Sequence, residues 1–401
     1  MVDDRPPDFS PELALAVACL RSRLDETAQE EIRRCAATTR DWSQFVAWVR
    51  RHRVGPLVHR HLGQVASSGV PGPVLEQLQD EVKRNRRQVL TQISEAARIK
   101  RSLDAAGIRS MMIKGPVLSL LAFGDPTLRT SRDVDLYVDR SRVRDANRLI
   151  IEAGYRRFAP DLELTPRQED AFLRMRCQFG YFSTQTGVVQ ELHWRLTSNA
   201  TLMPVDQETL WSRLEPVRLN GIDFRTLPDE EMFLYLCVHG SGHAWFRLKW
   251  LADIAALLGR MSSSSLDRIA ARAQSLGVER PFNQTLLLSH ALLASRVPAA
   301  TLSRAKQSGA ARRLARTACR ALNWAGTPSE PAETRWFNTW LAMQAYRLKP
   351  TLRYRWAEFQ DQMCSPEDWG RLPLPERLFF LYLPLRPVSW ALRKAMAALT
   401  R

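Results

Sequence analysis

The chain has 401 residues, 45% apolar and 25% charged, enough for two or three hydrophobic cores and unlike a disordered or fibrous protein. Its 58 Lys and Arg against 42 Asp and Glu leave a formal net charge of +16, which favours a polyanionic partner: nucleic acid, an anionic membrane or a nucleotide's triphosphate. Six scattered cysteines, with no C-x-x-C pair, argue against a zinc ribbon or disulfide framework and for reduced thiols. Met1–Phe9 lacks the layout of a signal peptide, and the apolar run Leu378–Leu385 is too short to span a bilayer, so the expected compartment is the cytoplasm.

Along the first hundred residues, apolar side chains recur at three- and four-residue spacing, which predicts helices over Pro11–Asp25, Asp41–Leu62 and Val74–Ala106. The stretch from Ser67 to Pro73 reads as the loop before the last of these. From Gly107 the period changes. Strands are expected at Ile108–Ile113 and Val134–Val138, then a helix over Arg142–Ala153 closed by Gly154. Two further strands, Gln178–Thr184 and Val188–Leu196, flank a turn at Gln185-Thr186-Gly187. Asn220-Gly221 marks a hairpin between Pro216–Leu219 and Asp223–Leu227. Helices then follow over Glu230–His243 and Arg247–Leu258, continuing through Leu293. The expected fold class is α+β: a small mixed sheet over residues 107–228, between a helical region at 1–106, a helical domain at 229–350 and a basic extension at 351–401.

The densest chemistry lies in Met112-Ile113-Lys114-Gly115-Pro116 and in Arg129-Thr130-Ser131-Arg132-Asp133-Val134-Asp135. Residues two apart in a strand share a face, so Asp133 and Asp135 stand side by side and repel unless a cation lies between them. Mg²⁺, a hard ion that takes carboxylate and phosphate oxygens, is the expected remedy. In Val188–Trp194 the same alternation puts Val189, Glu191 and His193 on one face. A strand placed beside Asp133 and Asp135 would make Glu191 a third carboxylate, a set that suits two Mg²⁺ ions in phosphoryl or nucleotidyl transfer. Gly115 lets backbone approach a phosphate ahead of a helix starting at Pro116, and Lys114, Arg129 and Arg132 add side-chain charge.

Lys114-Gly115, then Arg129-x-Ser131-x-Asp133-Val134-Asp135, then Glu191-Leu192-His193-Trp194, together resemble the uncharacterised nucleotidyltransferase family of the polymerase-β-like superfamily. The later His239-x-x-x-His243-x-Trp245-x-x-Leu248-Lys249-Trp250-Leu251-x-Asp253 is similar to that family's helical part. The resemblance covers roughly residues 10–300, and the first two motifs also look like those of abortive-infection-type nucleotidyltransferase toxins, which act on tRNA. It implies a nucleotidyltransferase core with Asp133, Asp135 and Glu191 as metal ligands. It implies Lys114, Gly115, Arg129, Ser131, Arg132 and Lys249 around an NTP, ATP being the first choice, and His193, His239, His243 and Asp253 behind them. Where many members of the superfamily carry Gly-Ser, this chain has Lys114-Gly115-Pro116. The acceptor stays open between a small molecule, a peptide or glycan intermediate and a tRNA end, and an inactive RNA-binding relative is the alternative reading.

His239-Gly240-Ser241-Gly242-His243 lacks the Glu of a metalloprotease helix and the spacing of an esterase elbow, so its histidines are expected to pack or hydrogen-bond near the site. Downstream, a basic helix is expected between Arg304 and Arg320. A basic amphipathic segment over Arg386–Arg401 suits either packing on the body or contact with RNA or a membrane surface.

Overall fold

The computed structural model describes residues 9–324, 331–363, 366–382 and 384–386. The N-terminal helices are α1 (Pro11–Ala18), α2 (Glu26–Thr38), α3 (Trp42–His52), α4 (Gly55–Val65) and α5 (Gly72–Ala105). Two of the expected helices are cut short or divided. The first, expected over Pro11–Asp25, already stops at Ala18, and Asp25 opens a further helix, α2, as its N-cap by accepting a hydrogen bond from the Ala28 amide. The second breaks where Arg53 turns left-handed (φ 56°) ahead of Gly55-Pro56, whose proline suits the first turn of α4.

The middle of the chain runs β1 (Ser110–Met112), α6 (Pro116–Phe123), β2 (Asp133–Val138), α7 (Val143–Glu152), β3 (Tyr155–Ala159), α8 (Pro166–Met175), β4 (Gln178–Ser183), β5 (Val189–His193), α9 (Gln207–Ser212), β6 (Glu215–Leu219) and β7 (Ile222–Thr226). Strands β1 to β5 form one mixed sheet in the order β1-β2-β5-β4-β3. Only β2 and β5 are parallel; the other neighbours are antiparallel. The Asn220-Gly221 hairpin stands apart as β6-β7, with both turn residues at positive φ (47° and 79°). Strand β3 and helix α8 were not among the sequence expectations: Tyr155–Ala159 is short and carries Arg156 and Arg157 on an edge, so its apolar alternation is faint.

The remaining helices are α10 (Asp229–Gly242), α11 (Leu248–Leu258), α12 (Ser263–Leu276), α13 (Glu279–Leu293), α14 (Ala299–Gln307), α15 (Gly309–Leu322), α16 (Pro331–Ala345), α17 (Leu352–Met363) and α18 (Pro366–Arg371). The single basic helix expected over Arg304–Arg320 is two, because the Ser308 side chain caps α15 through the Ala311 amide. The segment Arg386–Arg401 lies outside the described residues except for Arg386, whose guanidinium pairs with Asp368 at 2.6 Å. Among the described residues no helix is long and apolar enough to cross a membrane, and Cys19, Cys35, Cys177, Cys237 and Cys319 are free thiols.

Two hydrophobic clusters sandwich the sheet. One joins α1–α4 to α10–α15 and takes in Met111 and Tyr137 from the sheet's site-bearing face. The other lies across the opposite face, where Val134, Leu136, Val138 and Leu192 meet the second half of α5, α7 and Trp194. The alternation that buries those apolar residues on one side is what sends the carboxylates to the other.

Candidate active site

Parallel pairing of β2 with β5 sets Asp133 opposite Val189, Asp135 opposite Glu191 and Tyr137 opposite His193. The two strands thus bring Asp135, Glu191 and His193 together, with one ligand atom from each within 4.8 Å of the others. The His193 Nε2 lies 3.1 Å from Asp135 Oδ1 and 3.2 Å from Glu191 Oε2. Lys114, leaving β1, donates to the same Asp135 oxygen at 2.9 Å, and its ammonium sits 6.0 Å from the centre of the Tyr235 ring. Asp135 is 1% exposed, and an isolated carboxylate there would be costly. Burial works to raise its pKa, but Lys114 and His193 outweigh that and hold it well below the usual carboxylate range. The reciprocal holds for Lys114 and His193: burial opposes their charge, and the acids beside them keep both protonated.

Asp133 lines the same cavity but is not part of the close Asp135–Glu191–His193 group. Ser131 donates from Oγ to the Asp133 carbonyl at 2.9 Å, bracing the start of β2. The loop leading to it is pinned from α5, whose Asn85 amide nitrogen donates to the Thr127 carbonyl at 2.7 Å. Gln88 and Gln92 both donate to the Ser131 carbonyl, at 3.1 and 3.3 Å. Asn85 and Gln92, at i and i+7, are buried at positions that helical spacing assigns to the core, which was the available signal for them, whereas Gln88 is exposed. Gly115 has φ 67° and ψ −135°, a conformation open only to glycine, while a Cβ there would stand at ordinary contact distance from the Asp133 carbonyl and the Ser131 hydroxyl.

Above this face lies a cavity of about 490 Å³. One end is cationic, with Arg53, Arg129 and Lys249 in its wall. Asp253 receives the Arg129 Nε at 2.9 and 3.0 Å; the pair is buried and ties the β2 loop to α11. Burial works against the charged guanidinium, and Asp253 more than compensates, so Arg129 stays charged. Lys249 is 7% exposed, its Nζ donating to the Thr130 carbonyl at 3.4 Å. Burial, then Arg129 and Arg53, push its pKa well below that of a free lysine. Arg132 is exposed and is not in the cavity wall. Arg53, from the end of α3, was absent from the sequence expectations because it lies eighty positions before Asp133 and no local pattern links them.

His239 and His243 also line the cavity, their ring centres 4.7 Å apart, with Trp250 stacked 5.2 Å from His243. Burial, reinforced by Lys114, pushes His239 well below the ordinary imidazole value and His243 down to about 4, so both are neutral near pH 7. Among the described residues the only group of three or more His, Cys, Asp or Glu close enough to share a metal ion is Asp135, Glu191 and His193. Two carboxylates and an imidazole fit a divalent cation, the nitrogen being more at home with Mn²⁺ or Zn²⁺ than with Mg²⁺. Helices α16 and α17 and the turn between them also line the cavity, through Ala345, Leu348, Tyr354, Glu358 and Asp361.

A family model described as uncharacterised nucleotidyltransferase matches residues 38–294, a span that includes α3 to α13 and every residue named above except those of α16 and α17. No curated protein matches the chain.

Proposed function

The chain belongs to the uncharacterised nucleotidyltransferase family and is an enzyme of the nucleotidyltransferase type, and from that premise we propose that this cavity moves a nucleoside monophosphate from an NTP to an acceptor, releasing pyrophosphate. The observation that carries the reading is the β2–β5 register, which places Asp135 against Glu191 in a cavity whose other end is cationic. Asp135, Glu191 and His193, with Asp133 beside them, are the residues to hold a divalent cation, Mg²⁺ in the first instance and two ions if Asp133 takes part. Such an ion supplies charge neutralisation at the triphosphate and eases deprotonation of an attacking hydroxyl.

The chain's own residues do the rest. Gly115 leaves room for a phosphate oxygen at the start of α6, and Lys114, next to it, is placed to exchange Asp135 for phosphate. Arg129, held by Asp253, presents fixed positive charge where the triphosphate extends, and Lys249, whose charge its surroundings disfavour, becomes fully cationic when a phosphate faces it. His239 and His243, both neutral, one edge-on to Trp250 and the other stacked on it, form a wall that brings no charge of its own. ATP is the first nucleotide to test.

Isothermal titration with non-hydrolysable ATP, GTP, CTP and UTP analogues, with and without Mg²⁺ or Mn²⁺, tests the site. Cation-dependent binding of at least one analogue, lost in Asp135→Asn and in Glu191→Gln while the thermal melt is retained, is the expected outcome. Binding that is indifferent to both substitutions and to the cation would exclude the carboxylates from the nucleotide site.

A further inference from the structure

The reading above leaves Arg53 without a role, although its side chain enters the wall of the cavity from a helix that precedes the sheet. Its position is built rather than incidental. Arg53 is the left-handed C-cap of α3, with its amide bonded to the Arg50 carbonyl at 3.1 Å. The preceding turn is fastened to the start of α11: Arg247 donates to the Arg51 carbonyl, and the Leu248 amide donates to His52 Nδ1 at 3.3 Å. The same two residues lead directly into Lys249. One junction, α3 against α11, therefore delivers Arg53 and Lys249 together to one end of the cavity.

The charges there do not balance. Arg53, Arg129, Arg132, Arg247 and Lys249 gather here, and the acids acting on them include Asp133, Asp253 and, on Arg129, Asp135, which is itself engaged with Lys114 and His193. Asp253 is already engaged with Arg129. Arg53 Nε is buried without a hydrogen-bond partner, and Lys249, more than nine-tenths buried, has no carboxylate partner among the described residues. Burial and the neighbouring cations lower the pKa of Arg53 to about 10 and of Arg247 to about 9, the signature of positive charge gathered without its counter-ion. Buried charge is retained at such a cost where a ligand of opposite sign completes it.

We infer that Arg53 and Lys249 form a polyphosphate clamp that grips the leaving-group end of the triphosphate, making the α3–α11 junction part of the nucleotide site. The inference rests on the nucleotidyl-transfer reading for the identity of the triphosphate. The anion site itself stands on the geometry of the junction alone. The arrangement is directional. Asp133 begins β2 on the cationic side of the cavity, while β2 and β5 carry Asp135, Glu191 and His193 progressively away from it. Phosphates gripped by Arg53 and Lys249 thus lie on the Asp133 side, and the acceptor enters from the side of Ser198, Asn199 and α17. Arg53 contributes a planar fork of donors suited to two phosphate oxygens, Lys249 a compact point charge.

The test uses the full chain and titrates inorganic tripolyphosphate, inorganic pyrophosphate and AMP, each with Mg²⁺, into wild type, Arg53→Gly, Arg53→Lys and Lys249→Met. Glycine accepts φ 56° better than arginine does, so Arg53→Gly removes the fork without straining the turn. Expected is a roughly ten- to hundredfold loss of tripolyphosphate and pyrophosphate affinity in Arg53→Gly and Lys249→Met, with AMP affected less than about threefold and Arg53→Lys intermediate. Lys249→Met should melt no lower than wild type, because it removes a buried charge that lacks its own acid. Unchanged polyphosphate binding in Arg53→Gly, or an equal loss for AMP, would overturn the clamp. So would failure of the wild type to bind either polyphosphate. Loss of the clamp with NTP-analogue binding still dependent on Asp135 would leave the nucleotidyl-transfer reading intact. Arg53-dependent polyphosphate binding in a protein whose NTP binding ignores Asp135 and Glu191 would keep the clamp and remove that reading.

Discussion

At the scale of single residues, the centre of the site is a set of buried charges that hold one another ionised. Asp135 stays charged because Lys114 and His193 face it, and Arg129 because Asp253 does. Such pairs are weak evidence of net stability, since an apolar pair of similar volume often does as well. Breaking one by removing a single partner is costly, because it leaves a charge buried alone. For Arg129 and Asp253, whose side chains are 4% and 1% exposed, Asp253→Ala should cost about 3–5 kcal/mol in urea unfolding. The double change Arg129→Met/Asp253→Leu should recover most of that loss while binding nucleotide poorly. A single substitution costing under about 1 kcal/mol would mean that water reaches the pair. The carboxylates were legible in the sequence because a strand's period of two and the Asp-x-Asp spacing are local. Arg53, and the bracing contacts of Asn85, Gln88 and Gln92, were not, because their partners lie 39 or more positions away.

Among the elements, most interruptions of the expected helices come from caps. Ser308 and the left-handed Arg53 each divide a stretch that the sequence alone reads as one helix, and Asp25 caps a helix, α2, that it did not predict. The Gly240-Ser241-Gly242 segment finds its explanation at this scale as well. It ends α10, and the chain then turns back through Ala244 and Trp245, both at positive φ, until the Trp245 amide meets the Gly240 carbonyl at 2.8 Å. The fully buried Trp245 ring lies against Gly240, where an added Cβ would stand 2.5 Å from ring carbons. Gly240 makes room for an indole and has no part in a nucleophile turn. Gly240→Ala should therefore destabilise by about 1–3 kcal/mol in thermal or urea unfolding, with Trp245 fluorescence altered. An unchanged melt would show that the ring has space to shift.

For the whole molecule, helices from both ends of the chain close around the sheet, and α17 brings Tyr354, Glu358 and Asp361 to the cavity wall. Burial raises Asp361 from 3.8 to about 6; Arg176 and Arg195 oppose the rise and Glu358 adds to it. A carboxyl whose pKa is higher in the folded state binds its proton more tightly there. Its contribution to stability is therefore complete below about pH 4 and is lost as pH rises through about 6. The rise corresponds to at most about 3 kcal/mol. Asp361→Asn should gain on wild type progressively between pH 4 and 7 in parallel thermal melts. A difference between the two that does not vary with pH would show that Asp361 titrates normally.

What the sequence determined by itself is whatever depends on neighbours within a few positions. That includes the α+β class, the Asn220-Gly221 hairpin, glycine at position 115, and the alternation that sends Asp133, Asp135, Glu191 and His193 away from the core. Tertiary structure decided what depends on pairing distant segments. It laid β5 parallel to β2 in the one register that sets Glu191 against Asp135. It folded α3 onto α11, so that Arg53 meets Lys249, and lined the cavity with α16 and α17. The physical reason is that alternation and capping are set by local backbone geometry, whereas strand order and helix docking are selected by burial summed over the whole chain.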